Sequence, residues 1–144
     1  MKTTNTNFLY KLSSIRHLSF TFLERELSRA GVEDLPPSYG DILYIIHSQG
    51  VSYVKEIVDR SYKDKSTVSN SINHLVKNGY VEKIPDPEDG RRVRIKLTKR
   101  SEKYIDAMAE ISRKLKTKLF RSMSGEEQEI LFLLLNKVEK NLRI

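Results

Sequence analysis

Cysteine is absent from the 144 residues. That excludes disulfide staples, thiol-based peroxide sensing and the sulfur ligands of most structural zinc sites. Histidine does not fill the gap, because His17, His47 and His74 are scattered rather than closely spaced, and no metal is expected. No apolar run approaches the roughly 20 residues of a membrane span. The opening MKTTNTNFLYKL has no hydrophobic signal core, so a cytoplasmic protein with no membrane partner is expected. Also missing are a phosphate-cradling glycine loop, a nucleophile–base constellation and an acidic pair in metal-ligand arrangement. On site chemistry, no enzyme and no cofactor are expected.

What is abundant is positive charge. Lys and Arg number 26 against 19 Asp and Glu, a net charge of +7 with a pI near 9.6, which favours a polyanionic partner. Hydrophobic residues at 38% and charged residues at 31% suit one globular domain with a core that needs no staples. The cations are concentrated: residues 91–100 hold Arg91, Arg92, Arg94, Lys96, Lys99 and Arg100 with no acidic residue among them. Such a cluster suits phosphates or a minor groove before it suits stability.

The segment DKSTVSNSINHLVKNGYVEKIPDPEDGRRVRIKLT, residues 64–98, organises that charge. Asp64 is placed to cap a helix, and Val68, Ile72, Leu75 and Val76 recur on one face as a buried stripe. The opposite face carries Lys65, Ser66, Ser69, Asn70, Asn73 and Lys77, with Thr67 in its first turn. Short donors and acceptors of this kind read base edges, while lysines meet phosphates. Gly79 then suits a left-handed cap. Alternation predicts strands over 80–84 and 93–97, joined by the turn-rich 85–90 into a two-stranded hairpin with a long tip. Asp86 and Asp89 are expected to pair with Arg91 or Arg92 and shape that tip. Upstream, VKEIVDRS (54–61) forms a short helix with Val54, Ile57 and Val58 on its apolar edge. Two helices joined this closely read as a helix-turn-helix, and the hairpin makes it winged.

This order of elements resembles the MarR family of winged-helix transcriptional regulators. STVSNSINHLVKNGYVEK is similar to the family's recognition helix and the turn after it, and DPEDGRRVRIKLT to its wing, closing on Leu97-Thr98. The likeness runs from the helix near Phe8 to the one ending near Leu142. It implies a mainly α fold with a small β-hairpin wing. A winged helix-turn-helix lobe at 35–98 would lie between an N-terminal dimerisation helix at 1–34 and C-terminal dimerisation helices at 99–144. It also implies a homodimeric repressor of transcription on a near-palindromic double-stranded DNA operator. Polar residues after Thr67 would contact bases, and Arg92 would be the wing-tip arginine in the minor groove, with Arg94 and Lys96 following on the same strand. Three positions depart from the family's usual pattern: Asn70 where arginine is frequent, Ser101 where glycine is, and Gly90 in the wing turn, which leaves Arg91 or Arg92 as the inserted residue. A winged-helix interaction module that never touches DNA is the alternative.

The two ends of the chain carry more apolar helix surface than a small winged lobe can cover. Phe8, Leu12, Ile15 and Phe22 share one face, widened by Leu18, Leu23 and Leu27. Tyr104, Met108, Ile111, Leu115 and Leu119 stripe a helix expected over 99–121. Ser124 to Glu127 reads as a capping box ahead of Leu131, Leu134, Leu135, Val138 and Leu142. These helices are expected to pack together and against a second copy. Between the halves, LPPSYGDILYIIHS (35–48) places Ser38 and Asp41 as a second capping box and Ile42, Ile45 and Ile46 in the core. The MarR resemblance further implies a pocket at this junction for a small aromatic or phenolic effector, with Tyr39, Tyr44 and His47 as candidates and Arg16 and His17 as carboxylate partners.

Overall fold

The computed structural model describes residues 6–143; residues 1–5 and 144 of the two outer segments lie outside the described residues. The chain runs α1 (Thr6–Arg29), a 3-10 turn (Pro37–Tyr39), α2 (Gly40–Gln49), β1 (Val51–Tyr53), α3 (Val54–Ser61), α4 (Lys65–Lys77), β2 (Val81–Pro85), β3 (Val93–Leu97), α5 (Arg100–Leu119) and α6 (Gly125–Leu142).

One apolar core holds the middle of the chain. Ile42, Leu43, Ile45 and Ile46 of α2, Ile57 of α3, Val68, Ile72 and Leu75 of α4, and Ile95 of β3 are all buried, and Leu27, Tyr104 and Ile111 join them from α1 and α5. The helix stripes read at 3.6-residue spacing therefore converge on one lobe. Val76 departs from that reading: it is 36% exposed, because it lies one step past Leu75 and turns toward the solvent face of the last turn.

The sheet has three strands rather than two. β3 is central, in the order β1-β3-β2, with both pairings antiparallel. Ser52 of β1 lies opposite Ile95, as does Lys83 of β2. Three residues are too few to alternate visibly, so β1 leaves little mark on the sequence. β2 starts at Val81 rather than Tyr80, whose N–H still caps α4 by donating to the Leu75 carbonyl at 2.9 Å.

Two capping expectations separate. Ser124 forms its box: the Glu127 N–H donates to Ser124 Oγ at 3.1 Å and the Ser124 N–H to Glu127 Oε2 at 2.9 Å. Ser38 and Asp41 do not, since α2 starts with no side-chain cap. The prolines set a 3-10 turn that runs straight into α2, and the Tyr39 N–H is already satisfied by the Pro36 carbonyl at 3.0 Å. The backbone supplies the acceptors a side-chain cap would have offered.

The outer helices are only partly covered. α1 packs along α5, where Lys114 lies 3.6 Å from Glu26, but Phe8, Leu9, Leu12, Ile15 and Leu18 of its first half are exposed. α5 is two residues shorter at its C-terminal end than expected, closing at Leu119. α6 buries no side chain at all, and Ile130, Phe132, Leu133, Leu134 and Leu142 are each more than half exposed. Its end reaches back to the lobe, where Arg143 donates to the Tyr62 hydroxyl at 2.8 Å.

Candidate nucleic-acid interface

α3 and α4 meet across Tyr62–Asp64, a turn tight enough to place Tyr62 in the left-handed region at φ 56°. Asp64 then caps α4, accepting the Thr67 N–H at 2.7 Å and the Thr67 hydroxyl at 3.0 Å. Those bonds hold its carboxyl below the usual carboxylate range, the backbone bond contributing most. With Val68, Ile72 and Leu75 facing the core, Lys65, Ser66, Thr67, Asn70, Asn73 and Lys77 all project into solvent, and Ser69 is half-buried at the edge of that face. Asn73 is not free: Lys83 of β2 donates to its Oδ1 at 3.0 Å. That bond ties the exposed face of α4 to the root of the wing. Lys83 was not singled out from the sequence, where it is one lysine in a short strand.

The wing tip is organised by Asp86, though not through ion pairs. The expected pairing of Asp86 and Asp89 with the Arg91 or Arg92 guanidinium does not occur. Asp86, only 8% exposed, accepts the Tyr53 hydroxyl at 2.6 Å and the Glu88 N–H at 2.9 Å. Asp89 accepts the Arg91 N–H at 3.0 Å through its side chain. The loop over 86–92 folds back on these carboxylates, so the donors they accept from are backbone N–H groups and the tyrosine contributed by β1. Arg92 takes another partner, its guanidinium carbon lying 3.8 Å from the Tyr53 ring centroid, a cation–π distance. Arg91, Arg92 and Lys96 are exposed, while Arg94 is half-buried with no protein partner for its Nε. Tyr53 is the residue that sequence reading missed; it depends on β1, which a three-residue strand barely signals.

The Tyr53 hydroxyl, then the Glu88 N–H, hold the Asp86 carboxyl below its ordinary range. A lowered folded value means the contribution is present above the unfolded carboxylate pKa and is lost as pH falls through the folded one. Tyr53→Phe removes the hydroxyl and keeps the ring, so the Asp86 carboxyl is expected to titrate closer to an ordinary aspartate. A carbon-detected NMR titration checks this; an unmoved midpoint would mean the bond is not what holds the carboxyl.

The five residues proposed as one pocket are divided between two clefts. Arg16 and His17 line a cleft of about 770 Å³ between α1 and the 32–38 segment, together with His74 of α4. Tyr44 and His47, one turn apart on α2, line a separate cleft of about 400 Å³ against α5. Tyr39 is in the wall of neither and stacks edge-on against His74, with ring centroids 5.2 Å apart. Arg16 and His17 belong to α1 and Tyr44 and His47 to α2, and the two pairs line different clefts. Among the described residues no three His, Asp or Glu side chains gather as a metal site.

A short helix, a tight turn, a second helix with a polar outer face and a three-stranded sheet ending in a basic hairpin define a winged helix-turn-helix. Residues 33–92 match the MarR family model. The chain is 28% identical over 101 residues to the HTH-type transcriptional repressor IacR of Pseudomonas putida, covering 70% of this chain and 60% of that protein. It is 25% identical over 136 residues to the HTH-type transcriptional regulator BilQ of Clostridium symbiosum, covering 92% of this chain and 90% of that one. Its fold matches a mutant MarR from E. coli complexed with operator DNA at a TM-score of 0.81, with 21% identity, 94% of this chain and 99% of that chain covered. The chain spans 59–66% of the length of the first three curated relatives. It is a winged helix-turn-helix protein, similar to the MarR family over residues 33–92.

Proposed function

We propose that this chain is a sequence-specific double-stranded DNA-binding regulator of transcription, a repressor acting as a homodimer in the cytoplasm, and not an enzyme. The observation that carries this reading is the adjacency of two exposed surfaces. The polar face of α4 is linked through Lys83 to a wing that presents Arg91 to solvent. Neutral polar groups suit base edges and the wing cations suit the backbone and minor groove. Lys65, Ser66, Thr67, Ser69, Asn70, Asn73 and Lys77 are the proposed recognition-helix contacts. Arg91, Arg92, Arg94 and Lys96 are the wing set, with Asp86 and Asp89 shaping it. An interaction module without DNA leaves the run of cations over 91–100 without a purpose.

The bare apolar faces of α1 and α6 favour a second copy as their cover. The division at 35 and 98 is then a functional one, with Leu27, Tyr104 and Ile111 crossing it to complete the core. Two α4 helices would enter successive major grooves about 34 Å apart on a near-palindromic operator. A small aromatic or phenolic effector would regulate binding through its different affinity for lobe spacings that fit and do not fit DNA.

The test is a salt titration against the DNA upstream of the protein's own gene, read by fluorescence anisotropy. With roughly six to ten phosphate contacts per dimer, log affinity should fall against log salt with a slope of about −5 to −9. A slope near zero discards the reading.

A further inference from the structure

The Lys83 ammonium donates to Asn73 Oδ1 at 3.0 Å across the gap between β2 and α4. An ammonium has three donors and no acceptor, so only the carbonyl end of the amide can face it. The bond therefore fixes which end of Asn73 points at the wing. The sheet register aims the lysine there: Lys83 lies opposite Ile95, and opposed residues share a face. Ile95 is buried in the core that α4 completes, while Glu82 and Ile84 face the other way. Ser66, Asn70, Asn73 and Lys77 recur at intervals of four, three and four residues, which is one side of a helix. The held amide thus belongs to the outward row of proposed recognition contacts.

An unconstrained asparagine reads adenine with both ends, accepting from N6 while donating to N7. Asn73 lacks that freedom as long as Lys83 engages its oxygen. What it offers is the NH2 group, polarised further by the cation on its oxygen. In the major groove guanine presents two adjacent acceptors, O6 and N7, and thymine presents one, O4. The two hydrogens of one NH2 suit the first arrangement best. Cytosine presents only its N4 donor, and donor against donor leaves both groups desolvated without partners.

We propose that Lys83 is a positioning residue for base reading. It holds the Asn73 carbonyl toward the wing, so that Asn73 meets the major groove only as a donor and selects a guanine at one position of each half-site. This rests on the DNA-binding reading above. A bond that served stability alone would change overall affinity and leave the order of bases untouched.

The test uses the whole chain and a pool of duplexes with a randomised core. Selection gives the half-site, and Asn73→Ala marks the position that Asn73 reads as the one whose preference it flattens. Anisotropy at one salt concentration, on four duplexes differing only at that base pair, then gives the order of bases. The unaltered protein should bind the G·C pair in one orientation about fivefold tighter than either A·T orientation, the worth of one hydrogen bond. Lys83→Met frees the amide and should move the ratio toward an A·T pair by about fivefold. Lys83→Arg, still a donor without an acceptor, should keep the original order. An A·T pair preferred by the unaltered protein, an order unchanged in Lys83→Met, or a gain for A·T in Lys83→Arg would each overturn the proposal. So would an Asn73→Ala variant that flattens no position. A pool with no enriched sequence would instead remove the DNA-binding reading, and this assignment with it.

Discussion

Leu134→Glu is expected to leave the protein monomeric and to weaken its binding to a two-half-site DNA by about 10²–10⁴-fold, the advantage that linking two modest binding modules confers. Leu134 is 52% exposed in the single chain and sits amid Ile130, Leu133 and Val138 on a helix that is apolar over most of its circumference. Such a helix is normally enclosed on several sides, yet α6 buries no side chain in the single chain, and its Phe132 meets Phe120 edge-on at 5.8 Å between ring centroids. A carboxylate placed in that face would have to be desolvated without a partner whenever a second copy covers it. The lobe should be unharmed, because none of its core side chains comes from α6. Sedimentation velocity and anisotropy on one-half-site and two-half-site duplexes separate the outcomes. Dimers of undiminished stability would mean that α6 is not the interface. A monomer that keeps full affinity for the two-half-site duplex would mean that pairing of lobes is not how this chain holds DNA.

The lobe was legible in the sequence because its elements follow simple periods. Asp64 as cap and Val68, Ile72 and Leu75 as stripe need only local rules and stand in the structure as read, and the strand over 93–97 forms, with Ile95 buried but Val93 exposed and Arg94 half-buried. What escaped reading is non-local. Tyr53 becomes a wing residue only because β1 pairs with β3, bringing its hydroxyl to a carboxylate 33 positions along the chain. Lys83 reaches Asn73 for the same kind of reason. The pocket residues were legible by chemistry but not by grouping: Arg16 and His17 line one cleft and Tyr44 and His47 another, a division that depends on how the helices pack. Tyr104 shows the other limit. Its spacing marks it correctly as core, and spacing cannot say that its hydroxyl would be left without a partner.

Arg91→Ala and Arg92→Ala are expected to differ in kind, although the two residues are adjacent and alike. Arg91 is exposed, its main chain fixed by the bond from its N–H to Asp89 and its side chain left free of any ion pair among the described residues. Removing it from both wings of a dimer should lower DNA affinity across all sequences. The salt dependence should become shallower by about 2, close to one lost counterion-releasing contact per wing. Arg92 lies over the Tyr53 ring, whose hydroxyl is in turn held by Asp86. To enter a groove it would first have to leave that ring, giving up about 0.5–1 kcal/mol of cation–π attraction at an exposed site. Arg92→Ala should therefore lower thermal stability slightly and loosen the wing while leaving the salt slope nearly intact. Placing Arg92 at the groove, as the family likeness alone implies, predicts the reverse pattern. Parallel salt titrations of the two variants decide between them: a slope that collapses with Arg92→Ala and survives Arg91→Ala would return the groove contact to Arg92 and reduce the tyrosine stack to a resting place.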